Sequence, residues 1–146
     1  MDIWKKLNWK EGTAVVVLDA PASFQETLES CAGPVTTRWK AGLEFVLVFA
    51  LTRKAIEKLA TRLAKDAQGD VTVWVAYPKK SSKRYQCDFH RDSGWEPLGA
   101  AGFEGVRQVA IDADWSALRF RRVEFITSLK RAPERRLSDE GRKRSS

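Results

Sequence analysis

Apolar residues along the chain fall into short, nearly uninterrupted runs, which predict buried strands. Three such runs occupy residues 14–18, 45–49 and 71–77. A strand with apolar side chains on both faces must be covered on both, so each run is typical of a central strand of a parallel sheet. The longest continuous run, residues 45–51, has the length of a buried strand and not that of a transmembrane span.

A helical pattern separates the second and third runs. Residues 53–67 place apolar side chains three and four apart on one stripe, and Thr52 stands where a helix cap belongs. Two shorter helices are predicted as well. One follows a candidate cap at Ser23, and the other covers about residues 94–101, with Ser93 as a candidate cap.

The remaining segments predict edge strands. Residues 35–39 form a short strand, and residues 106–111 and 115–121 form an antiparallel hairpin. The order of elements predicts a single Rossmann-like α/β domain of three layers, with a mostly parallel sheet and an antiparallel C-terminal hairpin. The pairing between Val35 and Phe49 stays open, because residues 40–44 are few for a parallel crossover.

Length and charge divide the chain into two parts. Its 146 residues suffice for one domain. Of the net charge of +7, residues 130–146 carry +4 (seven Lys and Arg against three Asp and Glu) and residues 1–129 carry +3. We expect a folded domain over 1–129 and a basic, disordered tail over 130–146. Such a tail can make weak, non-specific phosphate contacts with nucleic acid.

The N-terminus lacks the hydrophobic core of a signal peptide, and no apolar run predicts membrane insertion, so the sequence predicts a cytoplasmic protein. Cys31 and Cys87 lack the paired spacing of a disulfide framework or a zinc site. His90 is the single histidine, so a histidine-based metal cluster is disfavoured and no metal site is predicted.

Four strings in the second half of the chain carry a family resemblance: WVAYPKK (74–80), RDSGW (91–95), VAID (109–112) and WSALRFR (115–121). They resemble a group of bacterial proteins of the domain-of-unknown-function type. The Trp-Val-x-x-Pro-Lys and Trp-Ser-Ala-x-Arg elements are more distantly similar to an actinobacterial family. The resemblance covers residues 3–126 and implies no activity.

The predicted strand order is also similar to a shortened class I methyltransferase fold. That family places a glycine-rich turn after its first strand, so that the backbone approaches the cofactor. Here the corresponding turn, residues 18–23, contains no glycine, which removes the close approach that a missing Cβ allows. The strings GxGxxG and GxxxxGK[ST] are absent too, which argues against ordinary NAD or ATP chemistry.

A basic loop after the third apolar run is the first candidate site. Clustered Lys and Arg at a strand end bind phosphate or carboxylate, and a capped helix N-terminus at Ser93 would add N–H donors. The alternative is a solvated loop that only maintains solubility. The candidate anion ligands are Lys79, Lys80, Lys83, Arg84, Arg91 and Ser93.

A second candidate is a cleft at the strand ends, where open α/β sheets bind ligands. Its residues are Asp19, Ser23, Arg53 and Tyr77. Asp19 can hydrogen-bond a hydroxyl and Arg53 can hold a phosphate. The alternative, which is the more common role of such a residue, is that Asp19 caps the following helix or pairs with a neighbouring base.

Three functions remain open on these observations, and no catalytic residue or cofactor is predicted. The first is a non-catalytic or regulatory domain that binds a small anionic ligand or a nucleotide. The second is a degenerate methyltransferase-like enzyme. The third is a protein–protein interaction module that uses exposed tryptophans, with Trp4, Trp9 and Trp39 as candidates.

Overall fold

A computed structural model of the chain describes residues 3–67, 69–89 and 93–126. In this part of the chain six strands form one sheet, in the order β2-β1-β3-β4-β6-β5. The first four strands are parallel, and β6 is antiparallel to both β4 and β5. The strands are β1 (Val15–Leu18), β2 (Val35–Thr36), β3 (Phe45–Phe49), β4 (Thr72–Pro78), β5 (Phe103–Ala110) and β6 (Trp115–Arg122). The predicted fold class is confirmed.

The sheet resolves the pairing that the sequence left open. β2 pairs with β1, Val15 opposite Val35, while β3 lies on the other side of β1. β2 and β3 are therefore parallel strands with β1 between them, and the connection that joins them crosses β1. The strand predicted over residues 35–39 ends at Thr36, which leaves residues 37–44 for this connection. Trp39, in this connection, donates a hydrogen bond of 2.7 Å from Nε1 to the Asp66 carboxylate.

Helices cover both faces of the sheet and make it the middle of three layers. The helices are α1 (Ile3–Lys6), α2 (Gln25–Glu29), α3 (Arg53–Asp66) and α4 (Glu96–Ala100), with 3-10 turns at Ala22–Phe24 and Val123–Phe125. Alternate side chains of β1 enter opposite cores. Val15 and Val17 pack with α1 and the turn before α2, whereas Val16 and Leu18 pack with α3 and α4. No helix in this described part is long and apolar enough to cross a lipid bilayer.

The predicted helix caps have mixed outcomes. Thr52 caps α3, because its hydroxyl accepts the N–H of Ala55 at 3.1 Å. Ser23 does not cap a helix, because it already lies inside the 3-10 turn Ala22–Phe24. The residue before that turn is Pro21, which has an extended backbone, and no side chain caps the turn. Ser93 does not cap either, because α4 begins only at Glu96 and no side chain caps its first turn.

Four of the six tryptophans are buried in the core, and Trp9 and Trp39 are half-buried. Trp4 is 1% exposed and donates from Nε1 to the Thr27 carbonyl, and Trp74 donates from Nε1 to the Leu7 carbonyl at 2.9 Å. Trp9 is half-buried and donates to the Thr13 carbonyl. The expectation that Trp4 is an exposed partner anchor is therefore wrong, because its indole is needed to seal one face of the sheet. The predicted tail, 130–146, lies outside the described residues.

Candidate functional site

The loop that follows β4 is folded back across the C-terminal edge of the sheet. At one end, the Lys79 N–H donates to the Asp114 carbonyl at 2.8 Å, and the Ser82 hydroxyl donates to the Asp114 carboxylate at 2.9 Å. At the other end, the Asp88 carboxylate accepts the N–H of Arg53 at 2.6 Å. The loop is thus fastened both to the β5–β6 hairpin and to the start of α3.

A cavity of about 640 Å³ lies beneath this loop. We call it the lysine cavity. It is lined by Tyr77, Pro78, Lys79, Lys80, Ser82, Tyr85, Gln86, Cys87, Phe89, Gln108 and Ser116. Its size falls within the range of about 300–1,000 Å³ that is usual for small-molecule sites. Two of these lining side chains are cationic and none is a carboxylate, and neither lysine forms an ion pair with a described residue. The cavity therefore favours an anion.

Two neutral polar side chains also line the lysine cavity: Ser116, which is buried, and Gln108, which is exposed. Ser116 is only 7% exposed, and its hydroxyl has no hydrogen-bond partner among the described residues. The Gln108 amide donates from Nε2 to the Tyr77 hydroxyl at 2.8 Å. The Ser116 hydroxyl oxygen is open to the cavity and is not one of the fully buried polar atoms that lack a partner. Ser116 thus offers a ready contact to a bound molecule.

Aromatic side chains form part of the wall. Tyr77, Tyr85 and Phe89 line the cavity, and each ring is fixed by a neighbouring ring. Tyr85 lies 4.9 Å from Trp115 between ring centroids, and Phe89 lies 5.0 Å from Trp95. Such packing makes the wall rigid and leaves little to reorganise when a ligand binds.

Cys87 also faces the cavity and is half-buried. Burial raises the pKa of its thiol above the ordinary 9.0, and the neighbouring Asp88 carboxylate adds to the rise. The thiol is therefore protonated at neutral pH, which makes it a poor nucleophile.

A second feature lies at the switch point of the sheet, the crevice between the ends of β1 and β3. The strand order reverses here, because the chain goes from β1 to β2 on one side and later to β3 on the other. Asp19 follows β1 with a left-handed backbone (φ 58°) and an exposed side chain. The Arg53 guanidinium points toward α4, 3.8 Å from the Glu96 carboxylate. Ser23 is exposed nearby in the sequence.

The structure separates the residues that the sequence grouped together. Tyr77 lines the lysine cavity with Lys79 and Lys80, on the β4 side of the edge and not beside Asp19. Lys83 and Arg84 are exposed and are not among its lining residues, and the Arg84 guanidinium lies 5.7 Å from the Tyr85 ring centroid. Ser93 is not a lining residue either. Arg91, like His90, lies outside the described residues.

Sequence reasoning did not identify Ser116, Gln108 or Cys87 as site residues. Ser116 carried a signal, because it is the polar member of a strand face whose other members are Leu118 and Phe120. Gln108 reaches the site through the hairpin register, in which it pairs with Leu118. That register depends on a bulge between Gly105 and Arg107. The order of apolar and polar residues along the sequence does not reveal this bulge.

No cluster of three or more metal-ligating side chains occurs within residues 3–67, 69–89 and 93–126.

The fold is similar to that of solved methyltransferases. A SAM-dependent methyltransferase from Aquifex aeolicus superposes with a TM-score of 0.58 at 13% identity, over 82% of this chain and 87% of that one. A putative type 11 methyltransferase from Sulfolobus solfataricus gives 0.52 at 11% identity, over 89% and 93%. The magnesium protoporphyrin IX methyltransferase of Synechocystis PCC 6803, solved with bound SAM, gives 0.51 at 14% identity, over 77% and 71%.

No protein-family model matches the sequence, and no curated protein matches it. At identities of 11–14%, the likeness is one of fold. The domain is a Rossmann-like sheet of the kind that class I methyltransferases use.

Proposed function

We propose that this chain is a degenerate methyltransferase-like enzyme that binds S-adenosylmethionine in the crevice between β1 and β3. The observation that carries the proposal is the reversal of strand order at this crevice, in a sheet that three methyltransferases share. Open α/β sheets bind their ligands at such a switch point.

The turn after β1 fits the cofactor in conformation and charge. Asp19 adopts the left-handed backbone that glycine usually supplies. Its exposed carboxylate suits a ligand with a sulfonium and an ammonium group, or a ribose hydroxyl. The Cβ of Asp19 occupies space that a glycine would leave open, so we expect weaker binding than a glycine-rich turn provides.

Bound S-adenosylmethionine would supply an electrophilic methyl group. The proposed role of this protein is to hold the cofactor, and Asp19 is the residue that would orient the polar groups of the cofactor. Arg53 is turned to Glu96, and its backbone N–H is already bonded to Asp88. The first N–H group of α3 is therefore already hydrogen-bonded within the protein and is not offered to the cofactor.

Calorimetric titration of the full chain tests this proposal. We expect S-adenosylmethionine to bind in the micromolar to millimolar range, and Asp19→Asn, which tolerates the left-handed backbone, to weaken binding by about tenfold through loss of one charged contact. Glu57→Gln, on the exposed face of α3, is the matched control and should bind like the wild type. No heat at millimolar cofactor would refute the proposal.

A second candidate function is supported by the lysine cavity: a non-catalytic domain that binds a small anion or nucleotide. Lys79 and Lys80 line the cavity, and no carboxylate is found among the described residues that line it with them. A thermal-shift panel of nucleotides and phosphates tests it. The double variant Lys79→Ala with Lys80→Ala should lose the anion-induced shift, whereas Lys54→Ala with Lys58→Ala, which removes the same charge from exposed positions of α3, should keep it. If the Lys79→Ala with Lys80→Ala variant showed the same anion-induced thermal shifts as the wild type, this function would be excluded.

A further inference from the structure

We propose that the lysine cavity binds a phosphate monoester whose organic part is a single flat ring. The inference rests on the second candidate function above, anion binding at the same cavity, and adds the chemical class of the ligand. It concerns a site two strands away from β1, on the other side of β3.

The charge of the described lining residues disfavours a cationic ligand in this cavity. Lys79 is half-buried and Lys80 is exposed, and none of the lining side chains that the structure describes is acidic. S-adenosylmethionine carries a sulfonium and an ammonium against one carboxylate, so two uncompensated lysines would repel it. The cavity is therefore distinct from the proposed cofactor crevice in the charge it accepts as well as in its place on the sheet.

The donors that line the cavity favour phosphate over carboxylate. Lys79 and Lys80 supply two ammonium groups, and Ser116, which is 7% exposed, supplies a hydroxyl that has no partner among the described residues. A phosphate monoester presents three peripheral oxygens to three separate donors, whereas a carboxylate presents two. Lysine ammonium groups are ordinary phosphate ligands.

The wall of the cavity favours a flat ring next to the anion. Three aromatic side chains and Pro78 line it, and these rings are held in place by Trp115, Trp95 and one another. Aromatic rings attract a second ring in stacked or edge-on geometry beyond the area that they bury. The volume of about 640 Å³ leaves room for a ring beside a phosphate.

The test compares phenyl phosphate with cyclohexyl phosphate, benzoate and inorganic phosphate, titrated into the full chain and followed by amide chemical shifts. We expect phenyl phosphate to bind about three- to tenfold tighter than cyclohexyl phosphate, because only the flat ring stacks. Benzoate should bind more weakly than phenyl phosphate, since it lacks the third oxygen. The largest shifts should fall on residues that line the cavity.

Variants separate this inference from the function on which it rests. Ser116→Ala removes one hydrogen bond and should weaken phenyl phosphate by about five- to tenfold, and Lys79→Ala with Lys80→Ala should weaken every anion. Equal affinities for phenyl phosphate and cyclohexyl phosphate, or an unaffected Ser116→Ala variant, would overturn the inference and leave anion binding intact. Absence of binding by all four anions would overturn both.

Discussion

The carboxylate of Asp88 accepts a hydrogen bond of 2.6 Å from the backbone N–H of Arg53, the first residue of α3. The Asp88 N–H also donates to the Leu51 carbonyl at 3.3 Å. A residue of the loop that covers the lysine cavity is thereby bonded to the segment that joins β3 to α3. The contact satisfies one of the helix N–H groups that no other residue of the helix can bond.

Replacement of Asp88 by Ala should therefore loosen the loop as well as the helix. We expect a loss of about 0.5–2 kcal/mol in the free energy of unfolding, the usual cost of a lost cap. Amide hydrogen exchange in residues 79–87 should accelerate. Thr52→Ala removes the other cap of the same helix end without touching the loop, and should leave exchange there unchanged. Equal exchange in the two variants would contradict the proposed fastening.

Gly94 controls how closely the chain approaches Phe89. It has φ +95°, and a Cβ at this position would lie 2.4 Å from the Phe89 Cβ. Gly12 has a similar φ of +87°, but no atom lies within 4 Å of the place that a Cβ would take there.

Gly12→Ala therefore isolates the backbone strain, which should cost about 1–2 kcal/mol. Gly94→Ala should cost a further ~1–3 kcal/mol from overpacking. Urea denaturation of both variants measures the difference. If both variants lost the same free energy of unfolding, Phe89 would have to move away from the new Cβ without cost, and the proposed close contact would be contradicted.

Asp70 and Arg121 form a two-point pair, with Arg121 Nε and Nη2 donating to the two carboxylate oxygens at 2.9 and 2.6 Å. The hydrogen bond from Arg121 holds the pKa of Asp70 below its ordinary 3.8. A carboxyl group with a lowered folded-state pKa stabilises the fold above about pH 4, and this stabilisation is lost as the pH falls through the folded-state pKa.

Arg121→Gln should therefore lower the free energy of unfolding near pH 6 and do so less near pH 3. The pair is about one-third exposed, so we expect a modest effect of about 0.2–1 kcal/mol. Arg107→Gln, an exposed residue of β5, is the control for lost positive charge. If Arg121→Gln lowered the free energy of unfolding by the same amount at pH 6 and pH 3, the pair would not stabilise the fold through the lowered pKa of Asp70.

The Cys87 thiol reports on the lysine cavity. Since burial raises its pKa, and each unit of increase lowers the thiolate fraction about tenfold, iodoacetamide should alkylate Cys87 more slowly than it alkylates a short peptide of the same local sequence. Phenyl phosphate should slow the reaction further. A Cys31→Ser background lets mass spectrometry follow Cys87 alone. Alkylation at the rate of the peptide would contradict the buried position.

Much of the fold follows from local pattern. The runs that became β1, β3 and β4 are apolar on both faces, and such runs are specific for covered strands. Residues 53–67 carry both a helical stripe and a cap, and the helix runs from Arg53 to Asp66. The predicted hairpin forms, and its turn is closed by the Asp112 carboxylate, which accepts the N–H groups of Asp114 and Trp115.

The candidate site depends on contacts that the pattern does not encode. Tyr77 and Asp19 both end strands, yet β3 lies between β1 and β4, so the two residues belong to different parts of the edge. Lys83 and Lys79 are equally basic, and only the folding of the loop onto Asp114 decides which of them lines the cavity. The basic tail, the contact with nucleic acid and the resemblance to the bacterial group stay predictions.

A crystal structure of the full chain soaked with S-adenosylhomocysteine tests the proposed function most directly. We predict density for the nucleoside in the crevice between β1 and β3, with a polar atom of the ligand within hydrogen-bond distance of the Asp19 carboxylate. Density confined to the lysine cavity beside Lys79 and Lys80, or no density at all at a concentration that saturates methyltransferases of this fold, would contradict it.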